Sequence, residues 1–221
     1  METRAAQVAG CPCVRSGRQV LSCPGDGPRL LQGTLAPRRR LDYNLFMPIL
    51  AIKKYPSPEL STRATEVDVI DDELRELVED MVETMYAAPG VGLAANQVGV
   101  TKRVAVIDLS AGEEPGNLHV LINPEIVEAS GEQCDEEGCL SFPGVTELLT
   151  RPQRVVMRAL GLDGKIFTLE GEDLMARAIC HEVDHLDGVL FMDRLTGFKK
   201  DRVRKEVRRS VKSGEWAEVY P

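Results

Sequence analysis

The chain has 221 residues, 43% apolar and 28% charged, with a net charge of -8 from 27 basic and 35 acidic side chains. That length suits one domain with a full core; no apolar run approaches the roughly 20 residues of a membrane span, and the acidic balance excludes wholesale wrapping by nucleic acid while leaving room for a local basic patch. The six cysteines form no disulfide framework, and the apolar neighbours of Cys139 and Cys180 point to free thiols in a reducing compartment, the cytoplasm.

Residues 1 to 46 carry seven arginines against three acids, scattered Gly and Pro, and no sustained periodicity. They read as a disordered extension ahead of a catalytic domain over residues 47–221. An arginine-rich, acid-poor stretch also suits an organelle-targeting peptide, although its serines are few and its helical amphipathicity weak. The rival is an overextended start, with Met47 the true first residue. Cys11, Cys13 and Cys23 lack a nearby fourth ligand for a zinc knuckle.

From Met47 the pattern becomes orderly. The stretch PILAIKKYP reads as a short apolar strand ended by proline. Asp71 opens a helix whose Leu74, Leu77, Val78, Met81, Val82 and Met85 form one stripe, opposite Glu76, Glu79, Asp80 and Glu83; it packs on a core and stops near Pro89. The following GVGLAANQVG, Gly90 to Gly99, is no phosphate loop, for it lacks lysine and the GxGxxG spacing and follows a helix. Its glycines offer an open backbone at Val91 and Gly92 that an extended chain can approach closely, with Gln97 as a polar group at the end. Strands are expected at Arg103 to Leu109, His119 to Asn123, Ile126 to Ser130, Arg154 to Leu160 and Lys165 to Glu170, with AspGly at 163 and 164 as a turn, giving a small, mostly antiparallel sheet. His119, alone at a strand start, is structural or solvent-exposed. EEGCLSFPG, Glu136 to Gly144, puts Cys139 in a turn-prone loop.

The stretch MARAICHEVDHLDG, Met175 to Gly188, holds two of the three histidines in an HExxH pattern, His181, Glu182 and His185. Residues four apart stand one above the other on a helix, so both imidazoles reach one cation while Glu182 leans toward the same place. The face continues back through Ala178 and Leu174, an apolar neighbour for a substrate side chain. Gly188 suits a left-handed stop. The last helix, Thr196 to Ser213, has a narrow apolar line at Val203, Val207 and Val211 and eight basic residues from Lys199 to Lys212.

HExxH needs a third ligand. The extension HExxHxxGxxH fails here, with Phe191 where its last histidine belongs. Glu206 is available but sits among basic residues on a solvated helix, and Cys139 offers a better donor, a thiolate. Taken together, GVGLAANQ, EGCLS and HEVDH, in this order and at these separations, resemble the three motifs of the peptide deformylase family, over about Met47 to Trp216. The resemblance implies an α+β fold, with small antiparallel sheets packed around a central HExxH metal-binding helix and a C-terminal helix. It implies a ferrous ion, for which zinc, nickel or cobalt can substitute, held by Cys139, His181 and His185. Glu182 would be the catalytic acid and base, Gln97 and the Leu140 backbone NH would hold the formyl oxygen, and Arg151 would pair with Glu137. One departure is Cys180, where the family usually has Gln. The expected reaction is hydrolysis of the formyl group from N-formylmethionyl nascent peptides, with the peptide beside Val91 and Gly92 and its methionine between Leu174 and Ala178. The expected protein is a monomer that docks on the ribosome through its basic last helix. The alternatives are a zincin-like metalloendopeptidase and a non-catalytic metal-binding module.

Overall fold

The computed structural model describes residues 49–214 and Trp216; the basic stretch 1–46, with the extension and knuckle readings made for it, lies outside the described residues. In chain order these form α1 (Asp72–Ala87), β1 (Gly92–Ala94), β2 (Val104–Ile107), β3 (His119–Ser130), β4 (Gln133–Gly138), β5 (Thr146–Arg151), β6 (Arg154–Leu160), β7 (Ile166–Glu172), α2 (Asp173–Leu186), α3 (Phe191–Arg194) and α4 (Gly197–Ser213). A five-stranded antiparallel sheet runs β1-β2-β3-β6-β7, and β4 and β5 make a separate two-stranded sheet. The α+β arrangement of small antiparallel sheets around the HExxH helix is as expected.

The period of two in β2 explains how the layers assemble. Val104 and Val106 face Leu74, Val78, Met81 and Met85 of α1, while Ala105 and Ile107 face Ile179, Val183 and Leu186 of α2. Both faces of this strand are therefore covered, and all four residues are fully buried. Helix α1 begins where Asp71 Oδ1 accepts the Leu74 N–H at 2.9 Å, with Asp72 and Glu73 in the first turn complementing the helix dipole. Small residues Ala94, Ala105, Ala159, Ala176 and Ala178 let α2 lie close against the sheet. A third cluster, around Phe142, Phe191 and Trp216, seats α4 through Val203 and Val207; Phe142 meets Phe191 edge-on at 5.1 Å.

Several expectations are corrected. From Ile49 on, the PILAIKKYP stretch joins no ladder among the described residues: the amides of Leu50, Lys53 and Tyr55 go singly to Thr84 Oγ1, Gln97 O and Ser141 O, so it laces three parts of the fold together. The two strands expected between His119 and Ser130 are one, with a register shift at the bulge between Ile122 and Glu125. There Asn123 takes a left-handed conformation, and its side-chain amide both donates to and accepts from the Val67 backbone, standing in for a strand neighbour. The β4–β5 hairpin and the short α3 have no counterpart in the expected elements. On α4 the buried line is Val203, Val207 and Ser210; Val211 is exposed. No helix among the described residues is long and apolar enough to cross a membrane.

Helix α2 stops as expected at Gly188, where φ is +72° and a Cβ would stand 2.9 Å from Ser61 O. Gly188→Ala therefore meets both a disfavoured backbone and a carbonyl that cannot yield. It should cost more than about 1 kcal/mol, read as a lowered Tm with the far-ultraviolet circular dichroism of the folded protein unchanged.

Candidate metal centre and substrate pocket

His181 and His185 lie one turn apart on α2, with ring centroids 4.9 Å apart. Cys139 follows β4 directly, and its Sγ is 3.1 Å from His185 Nε2. Ligand atoms of Cys139, His181 and His185 all lie within 4.8 Å of one another, the one such cluster among the described residues. Gln97 is buried in the turn after β1; its Oε1 accepts the Ala94 N–H at 2.9 Å and its Nε2 donates to Ser141 Oγ at 3.2 Å and to Cys139 Sγ at 3.6 Å. The Ser141 N–H also donates to Cys139 Sγ, at 3.4 Å. Two donors thus converge on the Cys139 sulfur.

Glu137 on β4 orients the first histidine. Its Oε1 accepts from His181 Nδ1 at 2.8 Å, which leaves Nε2 for a cation. Arg151 on β5 donates to both oxygens of Glu137, at 2.6 and 3.0 Å, and its third nitrogen reaches Asp184 of α2 at 2.7 Å. Arg194 closes the far side of Asp184. Arg177, one turn ahead of His181, donates through Nη1 to Glu137 Oε2 at 3.0 Å and to Leu149 O at 3.1 Å. Burial works against a charged Glu137, but its bonds to His181 and Arg151 prevail and hold its pKa well below the usual carboxylate range.

Burial favours a neutral His181, but its bonds to Cys139 and Glu137 outweigh that and raise its pKa well above the usual value. For His185 burial wins, helped by the neighbouring His181, and holds the imidazole neutral, the form that binds metal. Glu182 is 3% exposed, and burial pushes its pKa up to about 7, partly offset by His181. Its Oε2 is buried and has no hydrogen-bond partner among the described residues. A thiol and two imidazoles converging within 4.8 Å, beside an unpartnered carboxylate oxygen, fit a divalent transition metal with a water or substrate oxygen next to it.

Beside this cluster is a cavity of about 350 Å³ whose wall brings together nine of the ten residues singled out in the sequence: Val91, Gly92, Gln97, Cys139, Leu140, Leu174, Ala178, His181 and Glu182. The tenth, His185, is 1% exposed behind them. Leu174 stands half exposed and Ala178 is buried. The rivals for third ligand are elsewhere: Phe191 is in the aromatic core, and Glu206 lines a different pocket beside Trp216. His119 is half-buried at the start of β3, its pKa lowered by burial despite the pull of Asp108. Sequence reasoning missed Arg177 and the Pro143–Val145 wall. A signal for Arg177 did exist, since a charged residue between two alanines stands four positions before His181 on the helix.

Residues 49–201 match the Polypeptide deformylase family. A peptide deformylase of Acidobacterium capsulatum is 50% identical over 170 residues, covering 77% of this chain and all of that protein. One from Acetivibrio thermocellus is 55% identical over 149 residues, covering 66% of this chain and 85% of its own. The crystal structure of a peptide deformylase from Legionella pneumophila superposes with a TM-score of 0.71 at 39% identity, covering 76% of this chain and 98% of that one. The chain belongs to the polypeptide deformylase family, metal-dependent hydrolases that remove the formyl group from the N terminus of nascent peptides.

A Cβ placed on Gly92 would lie 2.3 Å from Glu182 Oε1. Gly92→Ala must displace the carboxylate, and a shift near 1 Å can cost on the order of a hundredfold in rate. The variant should stay folded and bind metal in full, yet lose about that factor in kcat with formyl-Met-Ala; wild-type kcat would show that Glu182 can move freely.

Proposed function

We propose that Cys139, His181 and His185 hold the metal of this deformylase and that Glu182 is its proton carrier. The observation that carries this reading is the buried, partner-free Glu182 oxygen beside the three converging donors. A bound divalent ion supplies a Lewis acid and a water acidic enough to lose a proton near neutral pH. Glu182 accepts that proton as the water oxygen adds to the formyl carbon. The developing oxyanion accepts hydrogen bonds from Gln97 Nε2 and the Leu140 N–H. Glu182 then gives its proton to the amine nitrogen as the carbon–nitrogen bond breaks, leaving formate and a free N terminus. Among the described residues strand β1 pairs with β2 alone; the Val91 carbonyl accepts the Asp108 N–H on that side, and the opposite edge is left for an extended peptide to add as a strand beside Val91 and Gly92. The methionine side chain enters between Leu174 and Ala178.

The metal in this reading is ferrous iron, with zinc, nickel or cobalt as substitutes. Intrinsic affinity favours zinc over ferrous iron at such a donor set, so supply and handling decide occupancy. Cys139, as a bound thiolate next to an oxygen-accessible iron, is the ligand most open to oxidation. The catalytic domain is residues 47–221, a reading supported by the family match over 49–201. It works in the cytoplasm as a monomer, for which sedimentation should give the 24.3 kDa of one chain.

The assay follows formate and new amines from formyl-Met-Ala and from an unformylated peptide. Wild type should release formate only, at the same rate for a chain beginning at Met47. Glu182→Ala should keep stoichiometric metal and lose about a hundredfold or more in kcat, whereas His185→Ala should lose metal and activity together. Apo-protein reloaded anaerobically with iron, nickel or cobalt should outpace the zinc form, and the iron form should decay in air. Near-normal turnover by Glu182→Ala would sink the mechanism; equal, air-stable turnover with zinc and iron would sink the metal assignment.

On α4 the exposed face carries Arg204, Lys205, Arg208, Arg209 and Lys212, none with an ion-pair partner among the described residues. We propose that this face docks on ribosomal RNA, through phosphate contacts whose affinity falls steeply with salt. Charge reversal at Arg204, Arg208 and Arg209 should abolish co-sedimentation with ribosomes at low salt and leave formyl-Met-Ala turnover intact. Unaltered co-sedimentation would refute it.

A further inference from the structure

Ser141 is fully buried and is not among the residues that line the cavity. A buried hydroxyl is costly unless it is bonded, and alanine would fill nearly the same space. Its Oγ has one hydrogen-bond partner among the described residues, the side-chain amide of Gln97, whose Nε2 donates to it at 3.2 Å. The orientation of that amide is fixed chemically. The Ala94 N–H can only donate, so the Gln97 oxygen faces it, at 2.9 Å, and the nitrogen faces Ser141 and Cys139. Of the two hydrogens on Nε2, Ser141 Oγ takes one; the other has only the long contact to Cys139 Sγ, at 3.6 Å. That second hydrogen is on the cavity side, since Gln97 and Cys139 line the cavity and Ser141 does not.

The backbone holds the two residues at this separation. The Lys53 N–H donates to Gln97 O at 2.7 Å and the Tyr55 N–H to Ser141 O at 3.1 Å, so one short stretch ties the turn after β1 to the loop after β4. Tyr55 is in turn stacked on Phe142, next to Ser141, with ring centroids 5.3 Å apart.

We propose that Ser141 is a positioning residue for deformylation, acting through Gln97: its Oγ holds the amide plane so that the remaining Nε2 hydrogen points at the formyl oxygen. This rests on the assignment of Gln97 as an oxyanion donor. The last torsion of a glutamine side chain has broad minima, so an amide anchored at Oε1 alone swings its nitrogen. The second anchor, at Nε2, removes that freedom before substrate arrives. A donor aimed in advance needs no reorientation as negative charge develops on the oxygen.

The test measures formyl-Met-Ala turnover, metal content and Tm for Ser141→Ala, Gln97→Met and the double variant. Ser141→Ala should keep its fold and stoichiometric metal and leave KM near the wild-type value. Its kcat should fall roughly tenfold, part of the hundredfold or more that removing an oxyanion donor costs. In the Gln97→Met background the same substitution should change kcat by less than about twofold, because its effect has no route left. A second reading needs neither a Gln97 variant nor turnover. In the isotopically labelled, zinc-loaded protein, NMR should show two Gln97 Nε2 hydrogens with well-separated shifts, one of them protected from exchange. In Ser141→Ala that protection should be lost. Wild-type kcat in Ser141→Ala, an undiminished loss in the Gln97→Met background, or unaltered Gln97 side-chain resonances would each overturn the proposal. Loss of metal from Ser141→Ala would do so too, by placing its effect at Cys139. Wild-type kcat in Gln97→Met would instead remove Gln97 as an oxyanion donor, and the proposal with it.

Discussion

The carboxylate of Glu137 is where this structure is tied together. Its two oxygens receive His181 Nδ1, two nitrogens of Arg151 and one of Arg177, all at 2.6 to 3.0 Å and all but shut off from solvent. Those partners come from β5 and α2, while Glu137 itself is on β4. A two-stranded sheet has too little apolar face to hold itself in place, and here it is pinned to α2 by charge. Removing one member of such a buried group leaves the others uncompensated, at about 3–5 kcal/mol. Cys139 is two residues beyond Glu137, so the bond that aims His181 also fixes where the Cys139 sulfur stands.

The β4–β5 register extends the same logic outward. Glu137 lies directly opposite Glu147, and two buried carboxylates facing each other would repel. The chain separates their partners: Arg151 and Arg177 take Glu137, and Arg202 of α4 takes Glu147. The basic C-terminal helix is thus anchored through one of its own arginines as well as through Val203 and Val207. Lys199, which reaches Leu148 O, strengthens the same seam. The rest of that helix's positive charge faces solvent.

This explains what could and could not be read from the sequence. Helices α1, α2 and α4 were legible because each carries an apolar stripe at helical spacing, and β2, β3, β6 and β7 because β-branched residues alternate or cluster. The β4–β5 pair was invisible because its buried face is Glu137, Glu147, Leu149 and Arg151, a pattern that alternation of hydrophobicity scores as solvated loop. The apolar PILAIKKYP stretch misled for the opposite reason: only Ile52 of its described residues is buried, and its amides are satisfied one by one by three other parts of the fold rather than by a ladder. Val211 misled too, since a helix leaning on a small aromatic cluster buries a narrower stripe than its valines suggest. In the site, the three motifs located the converging residues, and nine of the ten meet at one cavity. Arg177 left only a faint local signal, a charge between two alanines one turn before His181, and its partner Glu137 lies 40 residues away in sequence.

An edge strand is ordinarily a liability, because its unpaired backbone groups invite other chains. β1 is such an edge, but only three residues long, and it is bounded by Pro89 before it and by the buried turn through Gln97 after it. Gly92 within it admits Glu182 so closely that no side chain fits. In the proposed reading, backbone pairing at Val91 and Gly92 therefore brings the incoming peptide's first residue against the buried carboxylate. Pairing through backbone is indifferent to sequence, so discrimination has to reside in the cavity beyond it. That division requires the cavity wall to be rigid, and the charge cluster around Glu137, with Arg177 belonging to both, is what makes it so.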